Sequence, residues 1–404
     1  MSYNKYMRKK KILNTKRILI AGAAIVGIIA VLNINFTEPI PHRNLVDTKI
    51  SLYSDKRITP NAVAVSPEFK HLAFETPSSK KFPFSNQSLD FTRDKLAAVI
   101  KSIKSLLSPT EEVAKEHGSW IWTPILEMTP AYMESILSEA KTNGVNTMYV
   151  SVDSYLDIFV MAKGEAREKK KKEFGDKLED FIIRANRKGI VVDAEAGWRN
   201  WAESDHEYKA FAIVNYVKNF NAERQNKFRG FQYDVEPYLL EAYATDPAMV
   251  LKDFIALVDK TKNFLGESDL KFSVVVPDFY DEKDGFTPKF SYNGKKTSVF
   301  KHLLQILDER AGSSVIIMSY RSFADGYDGS IEVSQNEMQT GKSYETKIII
   351  AQEVGDVPPP YITFHRTSKE YLNRQIVRIN DTFAPYANFG GIAIHYVNAY
   401  LDLK

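Results

Sequence analysis

The sequence predicts an α/β protein whose main part is a (β/α)8 barrel, preceded by a single membrane-spanning segment and a short adapter region. From Ser119 onward, short apolar runs alternate with amphipathic stretches, and the alternation repeats eight times in 286 residues. Alternating strands and helices favour a parallel sheet, and eight units of about 36 residues are typical of a barrel. An open sheet usually carries a nucleotide-binding glycine pattern, and neither GxGxxG nor GxxxxGK[ST] occurs here.

Each predicted strand is a short apolar run that ends near a polar or aromatic residue. The eight are Trp120–Thr123, Thr147–Asp153, Ile190–Ala196, Gly230–Glu236, Lys271–Asp278, Val315–Tyr320, Ile348–Glu353 and Gly391–Val397. The intervening segments with helical spacing are Pro130–Thr142, Glu165–Lys188, Glu207–Asn219, Ala248–Phe264, Val299–Ala311 and Ser368–Ala384. Thr129 is a predicted N-cap with Pro130 at the first helical position, and Gly144 follows the helix end. The connection Ser322–Thr346 is only weakly helical.

The composition excludes several classes of protein. The 404 residues include no cysteine, 26% are charged, and Pro and Gly number 17 and 19, which rules out disulfide scaffolds, collagen-like chains and cysteine catalysis. The first 17 residues contain seven Lys or Arg and no acid. The remaining 47 basic and 51 acidic residues give residues 18–404 a net charge of −4. This part of the chain therefore lacks the positive charge that is typical of nucleic-acid-binding proteins.

The N-terminus carries a targeting signal. Ile18–Leu32 is an unbroken apolar run of 15 residues that continues weakly to Phe36, and lysines and arginines precede it. The positive-inside rule predicts a cytoplasmic tail over 1–17, a signal anchor in the cell membrane over 18–36 and an extracellular body. A cleaved signal peptide is the alternative. Residues 37–117 are predicted to be a stalk or adapter with one helix, and 118–404 the barrel.

The fourth predicted strand, Gly230–Glu236, has the most informative pattern. Side chains alternate along a strand, so Gln232, Asp234 and Glu236 share one face, which we expect to point into the barrel. Asp234 and Glu236 then lie about 7 Å apart. Two nearby carboxylates split their proton affinities, which suits a general acid beside a charged partner. A buried hydrogen-bond network without chemistry is the alternative interpretation.

Active sites of these barrels lie at the carboxyl ends of the strands, where this sequence has acids, amides and aromatic rings. All four Trp residues lie at or just after the first and third strands, and indole rings beside polar groups suit the apolar faces of sugars. The predicted substrate-binding residues are Trp122, Asp193, Glu195, Trp198, Gln232, Tyr238, Asp278, Arg321, Glu353, His395 and Tyr396. No metal is predicted, because the seven His residues lack ligand spacing, and no nucleotide or other cofactor is predicted, because the nucleotide-binding glycine patterns are absent. A metal held by Asp193, Glu195 and Asp234 is an alternative without its own signal.

Three segments resemble the family 18 glycoside hydrolases, the chitinase-like barrels. Gly230–Glu236 resembles their strand-four DxxDxDxE signature, Met318–Tyr320 their strand-six Met-x-Tyr motif, and Gly390–Ile394 their final strand. The resemblance implies that Glu236 is the general acid/base, that Asp234 steadies the 2-acetamido group of the substrate, and that Tyr320 hydrogen-bonds that group. The substrate would then supply the nucleophile in a retaining reaction.

The sequence departs from that family at several positions. Arg229 and Gln232 stand where the family has its first two Asp residues, and Arg321 replaces the Asp after the strand-six Tyr. His395 or Tyr396 replaces the Trp of the last strand. These departures leave open whether the substrate is chitin.

Two catalytic arrangements and three functions remain open on the sequence. Glu236 could pair with Glu353, because many retaining barrel glycosidases carry carboxylates on strands four and seven, about 5–5.5 Å apart. That requires Glu353 rather than Gln352 to point inward. The predicted function is an exported, membrane-anchored glycoside hydrolase of a cell-envelope or extracellular polysaccharide. The alternatives are an inactive barrel that binds glycans or an envelope protein, and a metal-assisted hydrolase.

Overall fold

The computed structural model describes residues 115–404 apart from 282 and 284. The predicted basic tail, the signal anchor over 18–36 and the adapter up to residue 114 therefore lie outside the described residues. Within residues 115–404, no helix is both long enough and apolar enough to cross a membrane.

Ten strands lie in the described part of the chain, and eight of them close into a parallel barrel in the order β1-β10-β9-β8-β5-β4-β3-β2. Their bounds are β1 Glu116–Ile121, β2 Thr147–Ser151, β3 Val191–Ala196, β4 Gly230–Tyr233, β5 Lys271–Pro277, β6 Phe290–Tyr292, β7 Lys295–Thr297, β8 Ser314–Met318, β9 Lys347–Glu353 and β10 Phe389–His395. Strands β6 and β7 form a separate antiparallel hairpin. The predicted (β/α)8 barrel is confirmed.

Helices connect the strands around the outside of the barrel. They are α1 Pro130–Thr142, α2 Tyr155–Phe159, α3 Glu165–Arg187, α4 Glu207–Glu223, α5 Pro247–Leu265, α6 Val299–Leu307, α7 Ser330–Thr340, α8 Lys369–Phe383 and α9 Val397–Asp402. The hydroxyl of Thr129 accepts a hydrogen bond from the amide of Tyr132 at 3.1 Å, as expected of an N-cap. Gly144 follows α1 with a φ of 82°, a conformation that glycine adopts without strain.

The boundaries differ from the sequence prediction at informative places. Strand β1 begins at Glu116, so the barrel starts two residues before the predicted boundary at 118. Strand β4 ends at Tyr233, which places Asp234 and Glu236 in the loop beyond it. The hairpin Phe290–Thr297 lies within the fifth connection, where the sequence shows no strong alternation.

The barrel interior contains one aromatic and aliphatic cluster with a polar group at its edge. The indole nitrogen of Trp120 donates to Oε1 of Gln232 at 2.7 Å across the interior. The hydroxyl of Tyr233, the next residue, instead lies 2.9 Å from that of Thr261 on α5. The predicted alternation in β4 is therefore confirmed, with Gln232 inside and Tyr233 against the helices.

An ion-pair group closes the amino-terminal end of the barrel. The guanidinium of Arg229 donates to Oδ1 of Asp193 at 2.9 Å and to Oε2 of Glu116 at 2.9 Å. Tyr149 donates its hydroxyl proton to the other oxygen of Glu116. Asp193 pairs in register with Gly230, the first residue of β4. Asp193 was predicted to bind substrate; in the structure its carboxylate lies low in the barrel, level with the first residue of β4, and is held by Arg229.

Candidate active site

The backbones after β3 and β4 approach each other closely at the carboxyl end of the barrel. The amide of Asp234 donates to the carbonyl of Ala196 at 3.1 Å. A Cβ atom at Gly197 would lie 1.9 Å from the carbonyl oxygen of Asp234, so only glycine fits there. The amide of Gly197 donates to Oδ1 of Asp153 at 3.3 Å. These contacts fix the chain that carries Asp234.

Glu236 follows two residues later and is half-buried. Tyr238 donates its hydroxyl proton to Oε1 of Glu236. The Tyr238 ring packs edge-on against Phe279, with ring centroids 5.4 Å apart. Burial and then the Glu236 carboxylate raise the pKa of Tyr238 well above its usual value, so this hydroxyl is a donor at neutral pH. The contact orients Glu236 within the mouth of the barrel.

Glu353 points into the barrel, and its neighbour Gln352 points out. Gln352 Oε1 accepts from the hydroxyl of Ser330 on α7 at 3.0 Å, and its Nε2 donates to the carbonyl of Ser319. Glu353 is only 3% exposed and its Oε1 accepts from the amide of Gly355 at 2.6 Å. The arrangement with Glu353 inward, which the sequence left open, is the one observed.

His395 ends β10 and joins Glu353 to Trp122. Its Nδ1 lies 2.6 Å from Oε2 of Glu353, and its Nε2 accepts from the indole nitrogen of Trp122 at 3.2 Å. The ring of Tyr320 stacks on that of His395, with centroids 6.1 Å apart and planes inclined at 28°. An indole nitrogen can only donate, so a neutral His395 ring would carry its proton on Nδ1, facing Glu353.

Asp234 and Glu236 influence the pKa values of the same two side chains as Glu353, namely those of Tyr320 and His395. Burial raises the pKa of Tyr320 well above its usual value, and the carboxylates of Glu353, Asp234 and Glu236 raise it further, in that order. Burial lowers the pKa of His395, while the same carboxylates raise it, and the net direction is upward. Carboxylates from β4 and β9 therefore converge at the carboxyl end of the barrel.

One oxygen of Asp234 is buried without a hydrogen-bond partner. Among residues 115–404, its Oδ1 is buried and has no hydrogen-bond partner. A buried acceptor without a donor costs about 1–3 kcal/mol, which a bound group with an N–H or O–H would recover. Asp234 thus has the position and the vacant lone pairs of a substrate-binding carboxylate.

Arg321 ties two loops together beside Tyr320. Its guanidinium donates to Asp278 at 3.1 Å, to Asp328 at 2.9 Å and to the carbonyl of Tyr320 at 2.9 Å. Burial raises the pKa of Asp278 to about 6, although the Arg321 charge opposes this. Arg321 and Asp278, both predicted to bind substrate, bind each other in the structure, and Arg321 also holds the Tyr320 backbone.

The predicted aromatic platform is smaller than the sequence suggested. Trp122 and Tyr396 are each only 8% exposed, and Trp122 packs against His395. Trp198 is half-buried, with the Arg199 guanidinium 5.1 Å from its ring centroid. Of these three rings only that of Trp198 keeps appreciable exposed surface, whereas Trp122 and Tyr396 are buried.

Glu195 and Asp153 complete the inner wall. Glu195 is fully buried and lies beside Gln232 in register, so it is an interior group rather than a mouth residue. Asp153 was not among the predicted site residues, although it follows β2 directly and its position after a strand end was the available signal. In the described part of the chain, no group of three His, Asp or Glu side chains is arranged to hold a metal ion.

A buried acid lies behind the loop that follows β5. Glu337 on α7 is 1% exposed, and neither carboxylate oxygen has a hydrogen-bond partner among the described residues. Burial, and then the nearby Asp281, raise the pKa of Glu337 well above its usual value. This group could not be predicted from the sequence, because a single Glu within a helix resembles any solvent-facing acid.

We expect a Glu337→Gln variant to be more stable than the wild type at neutral pH, by an amount that grows as the pH rises. In the unfolded chain Glu337 ionises near its usual pKa, whereas the folded protein keeps the proton to higher pH. The Glu337 contribution to the free energy of unfolding is therefore fully present below the pKa that Glu337 has in the unfolded chain. It is lost as the pH rises towards the higher pKa that Glu337 has in the folded protein. Gln cannot ionise and escapes this loss.

Urea unfolding of both proteins from about pH 4 to about pH 8 measures this difference. Glu241→Gln, at an exposed position, is the control and should show no such trend. A stability difference that stays constant with pH would contradict the expectation.

The fold and site define a (β/α)8 barrel with a carboxylate-rich mouth. No family model matches the sequence, and no curated protein matches it either. Among solved structures, an endo-1,4-β-mannanase from Rhizomucor miehei is 9% identical over 69% of this chain and 85% of its own, with a TM-score of 0.46. The spore cortex-lytic enzyme SleL of Bacillus megaterium is 12% identical over 71% and 72%, with a TM-score of 0.42. At such values the likeness carries no argument about activity.

Proposed function

We propose that the protein is a retaining glycoside hydrolase in which Glu236 is the proton donor and Asp234 stabilises the reacting sugar. The observation that carries the proposal is the convergence of Asp234, Glu236 and Glu353 with Tyr320 and His395 at the carboxyl ends of the strands. Glycosidic cleavage needs a proton for the leaving oxygen and an anionic group that stabilises the positive charge developing at the anomeric carbon.

Glu236, Tyr238 and Asp234 each have a part in this reaction. Glu236, oriented by Tyr238, gives its proton to the glycosidic oxygen as the bond to the anomeric carbon breaks. The vacant Oδ1 of Asp234 accepts an N–H from the 2-acetamido group, whose carbonyl oxygen forms the new bond to that carbon. The acetamido group and the anomeric carbon then form a five-membered ring. Water attacks the anomeric carbon, which opens this five-membered ring, and gives a proton to Glu236.

The geometry favours this substrate-supplied nucleophile over Glu353. Both oxygens of Glu353 already accept bonds, from the amide of Gly355 and from His395, and the side chain is buried. A nucleophilic carboxylate has to reach the sugar, and Glu353 is only 3% exposed. Asp234 is half-buried, has one oxygen without a hydrogen-bond partner and lies in the loop beyond β4, so we assign it the role beside the sugar.

The substrate class follows from the sequence as well as from the site. The basic N-terminus and the apolar run over 18–36 support export and anchoring at the cell membrane. An exported hydrolase meets polysaccharides of the cell envelope or the extracellular space. The partly exposed Trp198 beside the acids supports binding of a sugar chain.

Release of reducing ends tests the proposal. The full-length protein in detergent is incubated with a panel of envelope and extracellular polysaccharides, in N-acetylated and unacetylated forms, next to Glu236→Gln and Asp234→Asn. Wild-type release from an N-acetylated polymer, lost in both variants, is the expected outcome. Equal release by all three proteins would show that another group performs the chemistry.

A glycan-binding barrel without activity is the second candidate. It is favoured by Gln232, whose amide is held by Trp120 and lies 3.4 Å from the hydroxyl of Ser273, so it supplies no ionisable group beside Asp234. In that case a polymer binds equally well to the wild type and to Glu236→Gln, and no reducing ends appear.

A further inference from the structure

One short turn after β4 carries both Glu236 and the tyrosine that contacts it. Pro237–Leu239 forms a single turn of 3-10 helix, and the carbonyl of Glu236 accepts the amide proton of Leu239 at 3.1 Å. The buried Pro237 restricts the backbone at the start of this turn. The hydroxyl of Tyr238 donates to Oε1 of Glu236. The donor and its acceptor therefore lie two residues apart on one fixed segment.

The loop after β5 holds the Tyr238 ring in place. This ring packs edge-on against Phe279 and Tyr280, with ring centroids 5.4 Å and 6.3 Å away. Burial, and then the Glu236 carboxylate, raise the pKa of Tyr238 well above its usual value. The hydroxyl therefore keeps its proton, and remains a donor, throughout the pH range in which a carboxyl group titrates.

The bond from Tyr238 favours one of the two protonation states of Glu236. A carboxylate anion accepts an O–H more strongly than a neutral carboxyl does, so the bond stabilises the ionised form. Glu236 also acts on other ionisable side chains around the mouth, and Asp234 lies on its own loop. These side chains are Tyr280 after β5, Tyr320 after β8, and His395, which ends β10 and contacts Glu353 of β9.

The proposed reaction needs Glu236 in both states. In the first step its proton passes to the glycosidic oxygen, the bond from that oxygen to the anomeric carbon breaks, and the acetamido oxygen bonds to the carbon. In the second step a water oxygen bonds to the anomeric carbon, the acetamido oxygen leaves it, and a proton of the water passes to the Glu236 carboxylate. Between the two steps Glu236 is an anion, and a donor beside it stabilises that state.

We propose that Tyr238 is a positioning residue that stabilises the anionic form of Glu236 between the two steps, so that Glu236 acts as a base towards water after it has acted as an acid. The inference rests on the proposed function for the role of Glu236. It goes beyond that function because it gives the second step a residue of its own and makes the Tyr238 hydroxyl a determinant of the pH range of both steps.

Titration of Glu236 by NMR tests this without requiring turnover. Side-chain carboxyl signals of the full-length, 13C-glutamate-labelled protein in detergent are followed against pH, and Glu236→Gln identifies the signal. Tyr238→Phe is expected to raise the proton-binding constant of Glu236 about tenfold, which is the usual contribution of a hydrogen bond to a charged group. An unchanged Glu236 titration in folded Tyr238→Phe would overturn the proposal.

Tyr280→Phe is the matched control from the same wall. It also removes one hydroxyl from a ring that packs on this turn, but that hydroxyl is buried and has no hydrogen-bond partner among the described residues. The Glu236 titration should stay in place in this variant, and circular dichroism checks that both variants are folded. Equal shifts in Tyr238→Phe and Tyr280→Phe would show that the hydrogen bond is not the cause, and would overturn the proposal.

Kinetics separates this inference from the proposed function. On an aryl glycoside whose second step is slow, the alkaline limb of kcat/KM and the acid limb of kcat should both move up by about one pH unit in Tyr238→Phe. A loss of activity at every pH, with both limbs unmoved, would reveal a merely structural role and overturn the inference alone. Full activity of Glu236→Gln would refute the proposed function, and the NMR titration would still decide whether Tyr238 acts on Glu236.

Discussion

Glu236→Gln is expected to lower kcat on natural polysaccharide by about 10²–10⁴-fold, the usual contribution of a general acid. Gln keeps the size of the side chain and can still accept the hydroxyl proton of Tyr238, so the loop should stay in place. What disappears is the proton for the glycosidic oxygen. Initial rates of reducing-end release from the polymer found active in the panel measure the effect.

An aryl glycoside with an activated leaving group provides the internal control. Such a group departs without protonation, so Glu236→Gln should cleave it much faster than it cleaves the polymer. Asp234→Asn should be impaired on both substrates, because its role lies at the anomeric carbon rather than at the leaving oxygen. Equal losses on both substrates in Glu236→Gln would show that Glu236 is not the acid.

Arg229→Met is expected to reduce the free energy of unfolding by about 3–5 kcal/mol, the usual cost of breaking a buried ion pair. The variant leaves the carboxylates of Asp193 and Glu116 without their cation, and the Asp193 side chain is 5% exposed. Met preserves the aliphatic packing of Arg, so the decrease in the free energy of unfolding measures the contribution of the guanidinium charge. Urea unfolding followed by circular dichroism measures it.

Arg224→Met is the matched control, because Arg224 is as exposed as Arg229, at 24%. Its partners Asp176 and Glu179 are 45% and 20% exposed, so neither carboxylate is left buried and we expect a loss of about 1 kcal/mol or less. Adding Asp193→Asn to Arg229→Met should recover part of the stability, because it removes a stranded charge. Equal losses in the two single variants would show that the ion-pair group is no more than a surface contact.

Much of the fold could be predicted from local pattern. The alternation in β4 fixed which side chains enter the barrel, and Thr129, Pro130 and Gly144 marked the limits of α1 because capping and positive φ angles depend on a few adjacent residues. The hairpin Phe290–Thr297 was missed because two three-residue strands are too short to show a period.

The site was harder to predict, because depth along a strand depends on how neighbouring strands are staggered. Asp193 and Glu195 read alike in sequence, yet the register places Asp193 beside the first residue of β4, within reach of Arg229. The inward direction of Glu353 was likewise unreadable from alternation alone, since both it and Gln352 are polar. Contacts with Ser330 and His395, each from a distant segment, decide it.

The contact of Gly197 with Asp234 has a consequence for how this site can change over generations of mutation. The position of the aspartate is set by two main chains rather than by the side chains around them. Sequence drift in the surrounding wall can therefore alter the shape of the mouth, and with it the sugars admitted, while Asp234 stays where it is. Position 197 has no such freedom, because even a methyl group would displace the neighbouring backbone.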